Sequence, residues 1–149
     1  MAGKPFKFVS KREIFYVPII GLAMFLTGHI SLKRTDARSQ ANVFKDCVGL
    51  LKSGVSLLVF PEGTRSKDGV VKSFKAGAFK MARRAGVRVV PLTLDGSRDV
   101  MPHGKGMLRF YPGRVRISVH APTDLQADAG GDVAAWSDAT RTTIVAGME

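Results

Sequence analysis

The sequence predicts an α/β fold: a single domain built on a largely parallel sheet. Three observations lead there. Short apolar runs of strand character alternate with stretches of helical period, the order that builds parallel sheets through crossover helices. Leu57-Leu58-Val59-Phe60 and Val87 to Leu94 read as buried strands rather than surface ones. The length, 149 residues of which 45% are hydrophobic, suits one domain with a real core.

Phe6 to Val9 alternates as a strand does, and Lys11 to Leu26 reads as helical with a break near Pro18. Ile30-Ser31-Leu32 is a short strand ending at Lys33-Arg34. Ser39 to Lys52 is an amphipathic helix with Val43, Cys47, Leu50 and Leu51 on one side, and Gly54 stops it. Ser56 to Phe60 is expected as a central strand, closed by Pro61, which has no amide hydrogen for a ladder. Gly77 to Arg84 is a short helix ended by Gly86. In the strand Val87 to Leu94 that follows, Pro91 implies a bulge or an edge. Val115 to His120 alternates cleanly, which predicts a half-exposed strand, and Asp132 to Ala146 is a final helix.

The longest apolar stretch, Ile14 to Leu32, is interrupted by Pro18, Gly21, Gly28 and His29. Its unbroken part is about a dozen residues against the ~20 that span a bilayer. It reads as a buried or interfacial helix. The first fifteen residues are basic and interrupted, unlike the apolar core of a signal peptide.

The formal net charge is +11 and is unevenly placed. Lys4 to Arg34 holds six basic residues against Glu13, and Arg65 to Arg88 holds eight against Asp68. From Ala121 the sign reverses, with Asp124, Asp128, Asp132, Asp138 and Glu149 against Arg141. Such a body suits a polyanion: nucleic acid, an anionic membrane or a phosphorylated small molecule. A nucleic-acid binder would interleave aromatic residues with the basic ones. Here Tyr16, Tyr111 and Trp136 join nine phenylalanines, most of them in apolar contexts, so no nucleic-acid partner is expected. No Gly-x-Gly-x-x-Gly follows a strand. Cys47 is the sole cysteine and reads as a buried helical residue rather than a catalytic thiol. His29, His103 and His120 lack ligand spacing, so no metal site is expected.

The densest chemistry lies in Phe60-Pro61-Glu62-Gly63-Thr64-Arg65-Ser66. After a strand it delivers a carboxylate, a glycine that permits a sharp turn, two hydroxyls and a guanidinium able to bind an anion bidentately. Ligands of open α/β folds bind beyond such strand ends. A turn with a solvated Arg–Glu pair is the plainer alternative. In Lys72-Ser73-Phe74-Lys75-Ala76-Gly77-Ala78-Phe79-Lys80, Lys75 and Gly77 stand where a helix begins, and free helical amides favour anions there. An ordinary solvated face for Lys72, Lys75 and Lys80 is the commoner meaning of such a charge run. Gly28 to Arg34 and Val89 to Leu94 are two further segments of interest.

In this order the four segments resemble the glycerolipid acyltransferase family, most closely its 1-acylglycerol-3-phosphate acyltransferases. Phe60 to Ser66 matches the family's most diagnostic motif letter for letter. Arg34 matches the arginine ending its second motif, and Val90-Pro91 its proline motif. Phe74 to Phe79 also agrees, and the likeness covers roughly residues 5 to 121 of an acyltransferase domain taken as 1–149. It implies a mixed, mostly parallel sheet flanked by helices. It also implies transfer of a fatty acyl group from a thioester to the sn-2 hydroxyl of lysophosphatidic acid, giving phosphatidic acid.

By this resemblance Arg34, Arg65 and Lys75 hold the acceptor phosphate, with Gly63 allowing close approach and Thr64 and Ser66 either donating to the phosphate or closing the turn. Glu62 fixes an arginine or orients the loop, and Gly77 and Pro91 shape the pocket. No cofactor is implied beyond the acyl donor, a coenzyme A or acyl-carrier-protein thioester. Ile14 to Leu26, with Lys4, Lys7, Lys11 and Arg12, lines an acyl groove or dips into an anionic membrane surface. The implied location is peripheral, on a plastid membrane or the cytoplasmic face of a bacterial one. The surroundings of Met24 to His29 favour such members.

The family's general base is the histidine of a His-x4-Asp motif upstream of the matched segments. Five residues after His29, His103 and His120 stand Arg34, Leu108 and Leu125. The chain is therefore expected to be an N-terminally truncated piece that starts just past the catalytic helix, its sheet edge and apolar faces uncovered. A short product that binds lysophospholipid without catalysis, or a substitute base at His29, are the alternatives.

Overall fold

The computed structural model describes residues 6–32, 36–102 and 109–148. Lys4, Lys33, Arg34 and His103 lie outside them. The chain groups into two compact units, residues 1–59 with 80–87, and residues 60–79 with 88–149.

The first unit holds a parallel sheet of β1 (Phe6–Lys11), β2 (Ile30–Leu32) and β3 (Ser56–Leu58) in the order β2-β1-β3. β1 divides its length between its neighbours. Phe6, Lys7 and Phe8 pair with Ser56, Leu57 and Leu58, while Val9, Ser10 and Lys11 pair with Ile30, Ser31 and Leu32. Among the described residues the central strand is thus β1, not β3, correcting the sequence expectation. The ladder ends at Leu58, so Val59 and Phe60 run on unpaired towards Pro61.

The break expected near Pro18 separates a 3-10 turn, Arg12–Tyr16, from α1 (Ile20–Leu26). Ile19 sits there at φ 67°, a strained conformation for a β-branched residue. A Cβ on Gly21 would overlap the Phe15 carbonyl oxygen, so only glycine permits this close return. α2 (Ala37–Lys52) packs on β2 and β3. It starts ahead of Ser39 because the Asp36 carboxylate accepts the Arg38 N–H at 3.0 Å, an N-cap that supplies one of the helix's orphan donors with a partner.

Cys47 is fully buried on α2, as expected. Burial, aided by the Asp46 charge, pushes its thiol from 9.0 up to about 11. The folded chain therefore holds this proton more tightly than the unfolded one. The resulting stability is complete below pH 9 and is lost as pH rises towards 11, at most about 3 kcal/mol. A Cys47→Ala chain should keep its urea midpoint better than the wild type across that window. Parallel declines in the two proteins would contradict this.

In the second unit β4 (Leu92–Asp95) and β5 (Arg116–Val119) form an antiparallel pair, with Thr93 opposite Ser118 and Leu94 opposite Ile117. The strand expected from Val87 to Leu94 is divided at Pro91. Val89 makes a lone bridge to Thr123, and the buried Pro91 offers its carbonyl to His120 N–H at 3.0 Å. The apolar side of β5 is the uncovered one: Ile117 and Val119 are exposed, while Ser118, paired with the buried Thr93, is half-buried.

α3 (Gly77–Ala85), divided between the units at Phe79, precedes this pair, and α4 (Ser97–Val100), α5 (Leu125–Ala129) and α6 (Val133–Ala146) complete the fold. Acidic residues near the C-terminus cap helices: Asp124 accepts from Gln126 N–H and Asp132 from Ala134 N–H. The unit's core centres on Trp136 and Phe79, whose rings meet edge-on with centroids 5.5 Å apart. Parallel sheet, antiparallel pair and flanking helices together give the α/β class expected.

Candidate functional site

Beyond β3 the chain turns at once, the Gly63 N–H bonding to the Phe60 carbonyl at 3.0 Å. Gly63 has φ 72°, a left-handed conformation that glycine takes without Cβ strain. Two contacts bring the returning arm back to this turn. Lys72 N–H donates to Glu62 Oε2 at 3.1 Å and Lys75 N–H to the Pro61 carbonyl at 2.9 Å. The Glu62 carboxylate thus orients the loop through a main-chain amide, and among the described residues it makes no ion pair with an arginine.

The Lys75 side chain passes over Gly63, its Nζ and Cε each 3.2 Å from where a Cβ would stand. Phe74 stacks on Phe79 below, at 6.4 Å between centroids. Lys75 stands two residues before the first turn of α3, whose free amides add to the positive field. A Cβ on Gly77 would meet nothing within 4 Å, so the space at that helix start is open.

The outer part of the loop is a closed turn. Ser66 Oγ donates to Asp68 Oδ1 at 2.7 Å and accepts from Gly69 N–H at 2.9 Å, and Val70 N–H donates to the same carboxylate oxygen at 3.2 Å. The Ser66 hydroxyl, followed by the Val70 amide, holds the Asp68 carboxyl below the usual carboxylate value. Thr64 Oγ1 donates to the Arg65 carbonyl at 3.3 Å. Arg65 is exposed, and its guanidinium makes no ion pair among the described residues.

Electrostatically the loop is one-sided. Residues 60–79 carry Arg65, Lys67, Lys72 and Lys75 against Glu62 and Asp68, and both carboxylates are engaged by main-chain amides. Among the described residues these exposed cations make no ion pair, which leaves them open to an arriving anion. A guanidinium, an ammonium and a tight turn at Gly63 are groups that suit a phosphate.

Arg34 lies outside the described residues. Pro91 is buried with its carbonyl committed to His120. His29 Nδ1 accepts the Phe8 N–H at 3.0 Å, which leaves the proton of the neutral ring on Nε2. The ring's lone pair is thus occupied by a main-chain donor instead of being available as a base. His120 Nε2 meets Thr93 Oγ1 at 2.8 Å, and that hydroxyl in turn donates to the Ile144 carbonyl at 2.9 Å.

Two arginines the motifs do not contain also reach this loop. Arg98 donates to the carbonyls of Asp68 at 2.7 Å and Lys67 at 3.2 Å, and Arg141 to those of Val71 and Lys72. Their partners are main-chain oxygens, so no residue pairing in the sequence points to them.

A second surface feature belongs to the first unit. Tyr16, Ile19, Ile20, Leu22, Phe25 and Leu26 are exposed. An open hollow of about 390 Å³ lies among Phe15, Tyr16, Val17, Ile19, Leu22 and Phe25. Lys7 is half-buried and Lys11 and Arg12 are exposed at neighbouring positions of the same unit. Among the described residues no helix is long and apolar enough to cross a membrane.

The chain is 54% identical over 121 residues to the chloroplastic 1-acyl-sn-glycerol-3-phosphate acyltransferase of Arabidopsis thaliana, covering 80% of this chain and 33% of that one. It is 50% identical over 133 residues to the enzyme of that name from Chlamydomonas reinhardtii, covering 88% and 40%. Against the crystal structure of the 1-acyl-sn-glycerophosphate acyltransferase PlsC from Thermotoga maritima the TM-score is 0.78 at 26% identity, over 95% of this chain and 55% of that one. The chain thus spans well under two thirds of the length of these relatives. The model of the family described as Acyltransferase matches residues 1–95, more than half of the sequence. With the glycine turn and its cationic loop in place, the chain belongs to the acyltransferase family.

Proposed function

We propose that this chain carries the acceptor-phosphate region of a 1-acyl-sn-glycerol-3-phosphate acyltransferase. Such an enzyme moves a fatty acyl group from a coenzyme A or acyl-carrier-protein thioester to the sn-2 hydroxyl of lysophosphatidic acid, giving phosphatidic acid. The acceptor hydroxyl adds to the thioester carbonyl, its proton passes to a base, and the thiol leaves. The loop from Phe60 to Phe79 has the positioning part of that work: holding the phosphate so that the hydroxyl is aimed.

One observation carries the reading. Glu62 and Asp68 are both turned onto main-chain amides, while Arg65 and Lys75 remain exposed. A solvated Arg–Glu pair, the plainer account of the motif, would have used Glu62 against Arg65. The relatives named for this acceptor support the same assignment.

The exposed apolar side chains of α1 and the turn before it, with Lys7, Lys11 and Arg12, suit an anionic lipid surface. α1 has seven residues, a length of about 10 Å against a hydrocarbon core of ~30 Å. It would lie in the interface of a plastid or bacterial membrane.

Titration of the chain with lysophosphatidic acid, below its micelle-forming concentration, tests the phosphate assignment. Arg65→Ala should weaken binding by about tenfold or more, the worth of a charge-assisted hydrogen bond, and leave acyl-coenzyme A binding unchanged. Equal affinity of the variant and the wild type for the acceptor would refute it.

A further inference from the structure

The anion loop is held from outside its own motif. Arg141, half-buried on α6, donates from Nε to the carbonyls of Val71 and Lys72, each at 3.1 Å, and from Nη2 to Val71 at 2.6 Å. The N–H of the same Lys72 goes to the Glu62 carboxylate. One residue of the returning arm is thus gripped at both main-chain groups, by a carboxylate on one and a guanidinium on the other. Three residues later the Lys75 N–H bonds to Pro61 and its side chain passes over Gly63. Arg141 lies beyond the family model, which ends at residue 95.

We propose that Arg141 is a positioning residue for the acceptor phosphate. It acts through the Val71–Lys72 main chain and fixes the arm on which Lys75 stands. The inference rests on the phosphate reading above. The physical reason is preorganisation: a cation on a loop free to swing must be ordered when the anion arrives, and that cost is subtracted from affinity. A guanidinium suits the task because its Nε–H and Nη2–H lie in one rigid plane, so less rotamer freedom is lost for each hydrogen bond to the two carbonyls.

The test uses the 149-residue chain, titrated with lysophosphatidic acid below its micelle-forming concentration and followed by amide hydrogen exchange. Arg141→Gln should weaken binding by about tenfold, the range of a charge-assisted contact, and Arg141→Lys should recover part of it. Exchange should rise in peptides from Pro61 to Lys75 and stay unchanged in β4 and β5. Because Glu62 and Arg141 act on the same residue, the joint loss in Glu62→Gln/Arg141→Gln should be smaller than the sum of the single losses.

Affinity unchanged in Arg141→Gln but reduced in Arg65→Ala would overturn the positioning role and leave the phosphate reading standing. Exchange rising evenly through β4, β5 and α6 would reduce Arg141 to general structural support. Affinity unchanged in both Arg65→Ala and Arg141→Gln would remove the phosphate reading and this inference with it.

Discussion

Trp136→Ala should cost about 3–5 kcal/mol of stability, the range for truncating a fully buried aromatic residue. Trp136 is 1% exposed and packs edge-on against Phe79, itself 2% exposed. Its indole N–H donates to Thr123 Oγ1 at 2.9 Å. Thr123 in turn makes the bridge to Val89 through both of its main-chain groups. Removing the indole therefore leaves a cavity beside Phe79 and takes the donor from a half-buried hydroxyl. Against a usual total of 5–15 kcal/mol, little cooperative stability would remain. Urea unfolding followed by circular dichroism measures this, since the substitution removes the only tryptophan. Trp136→Phe should cost less than half as much, because it keeps most of the ring packing and loses the hydrogen bond. A loss below about 1 kcal/mol for Trp136→Ala would mean that the core is not centred on this residue.

The same core reaches the loop. Phe79 stacks on Phe74, the neighbour of Lys75, so Trp136 supports the cationic arm at second hand. Arg98 and Arg141 hold that arm and the outer turn by their carbonyls. The loop is thus less an independent motif than a segment fastened at several points to one compact unit.

What the sequence shows of this depends on where the partners lie. The loop residues from Phe60 to Ser66 are consecutive, so their chemistry is visible as a string. Elements bounded by strong punctuation are equally plain: Ile30–Leu32 is a strand as expected, and α6 follows Asp132 because that carboxylate caps it. Short elements are harder. α4 and α5 have four and five residues, too few to display a helical period. The rank of β3 is not legible in its residues, because an apolar run looks alike at the centre and at the edge of a sheet. The outward apolar face of β5 was hidden for a related reason: alternation shows that a strand has two faces but not which one is covered.

The side chains that shape the site were legible only in part. Glu62 was expected to fix an arginine or orient the loop, and it turns to a main-chain amide. Arg98 and Arg141 could not be found, because every residue has a carbonyl and an arginine that binds one leaves no complementary letter elsewhere. The Thr123 hydroxyl that receives the Trp136 N–H was hidden because its partner is fixed by tertiary packing alone.

The largest functional effect is expected from Gly63→Asp. Aspartate and asparagine are among the side chains that best tolerate a positive φ, so the turn at 72° should survive either substitution. The new Cβ would stand 3.2 Å from Lys75 Nζ, and the ammonium must shift slightly to receive it. A carboxylate there neutralises Lys75 and faces the incoming phosphate with like charge. At about 4 Å and an effective dielectric near 20, such a repulsion is about 4 kcal/mol. Affinity for lysophosphatidic acid should fall by about 100-fold or more, beyond the loss in Arg65→Ala. Gly63→Asn has nearly the same shape without the charge, and its loss should stay within about fivefold, the cost of displacing Lys75 and straining the turn. Because one phosphate partner is cancelled, binding by the aspartate variant should also vary less with salt than binding by the asparagine variant. Equal affinities in the two variants would show that Gly63 acts by shape alone and that Lys75 does not face the phosphate.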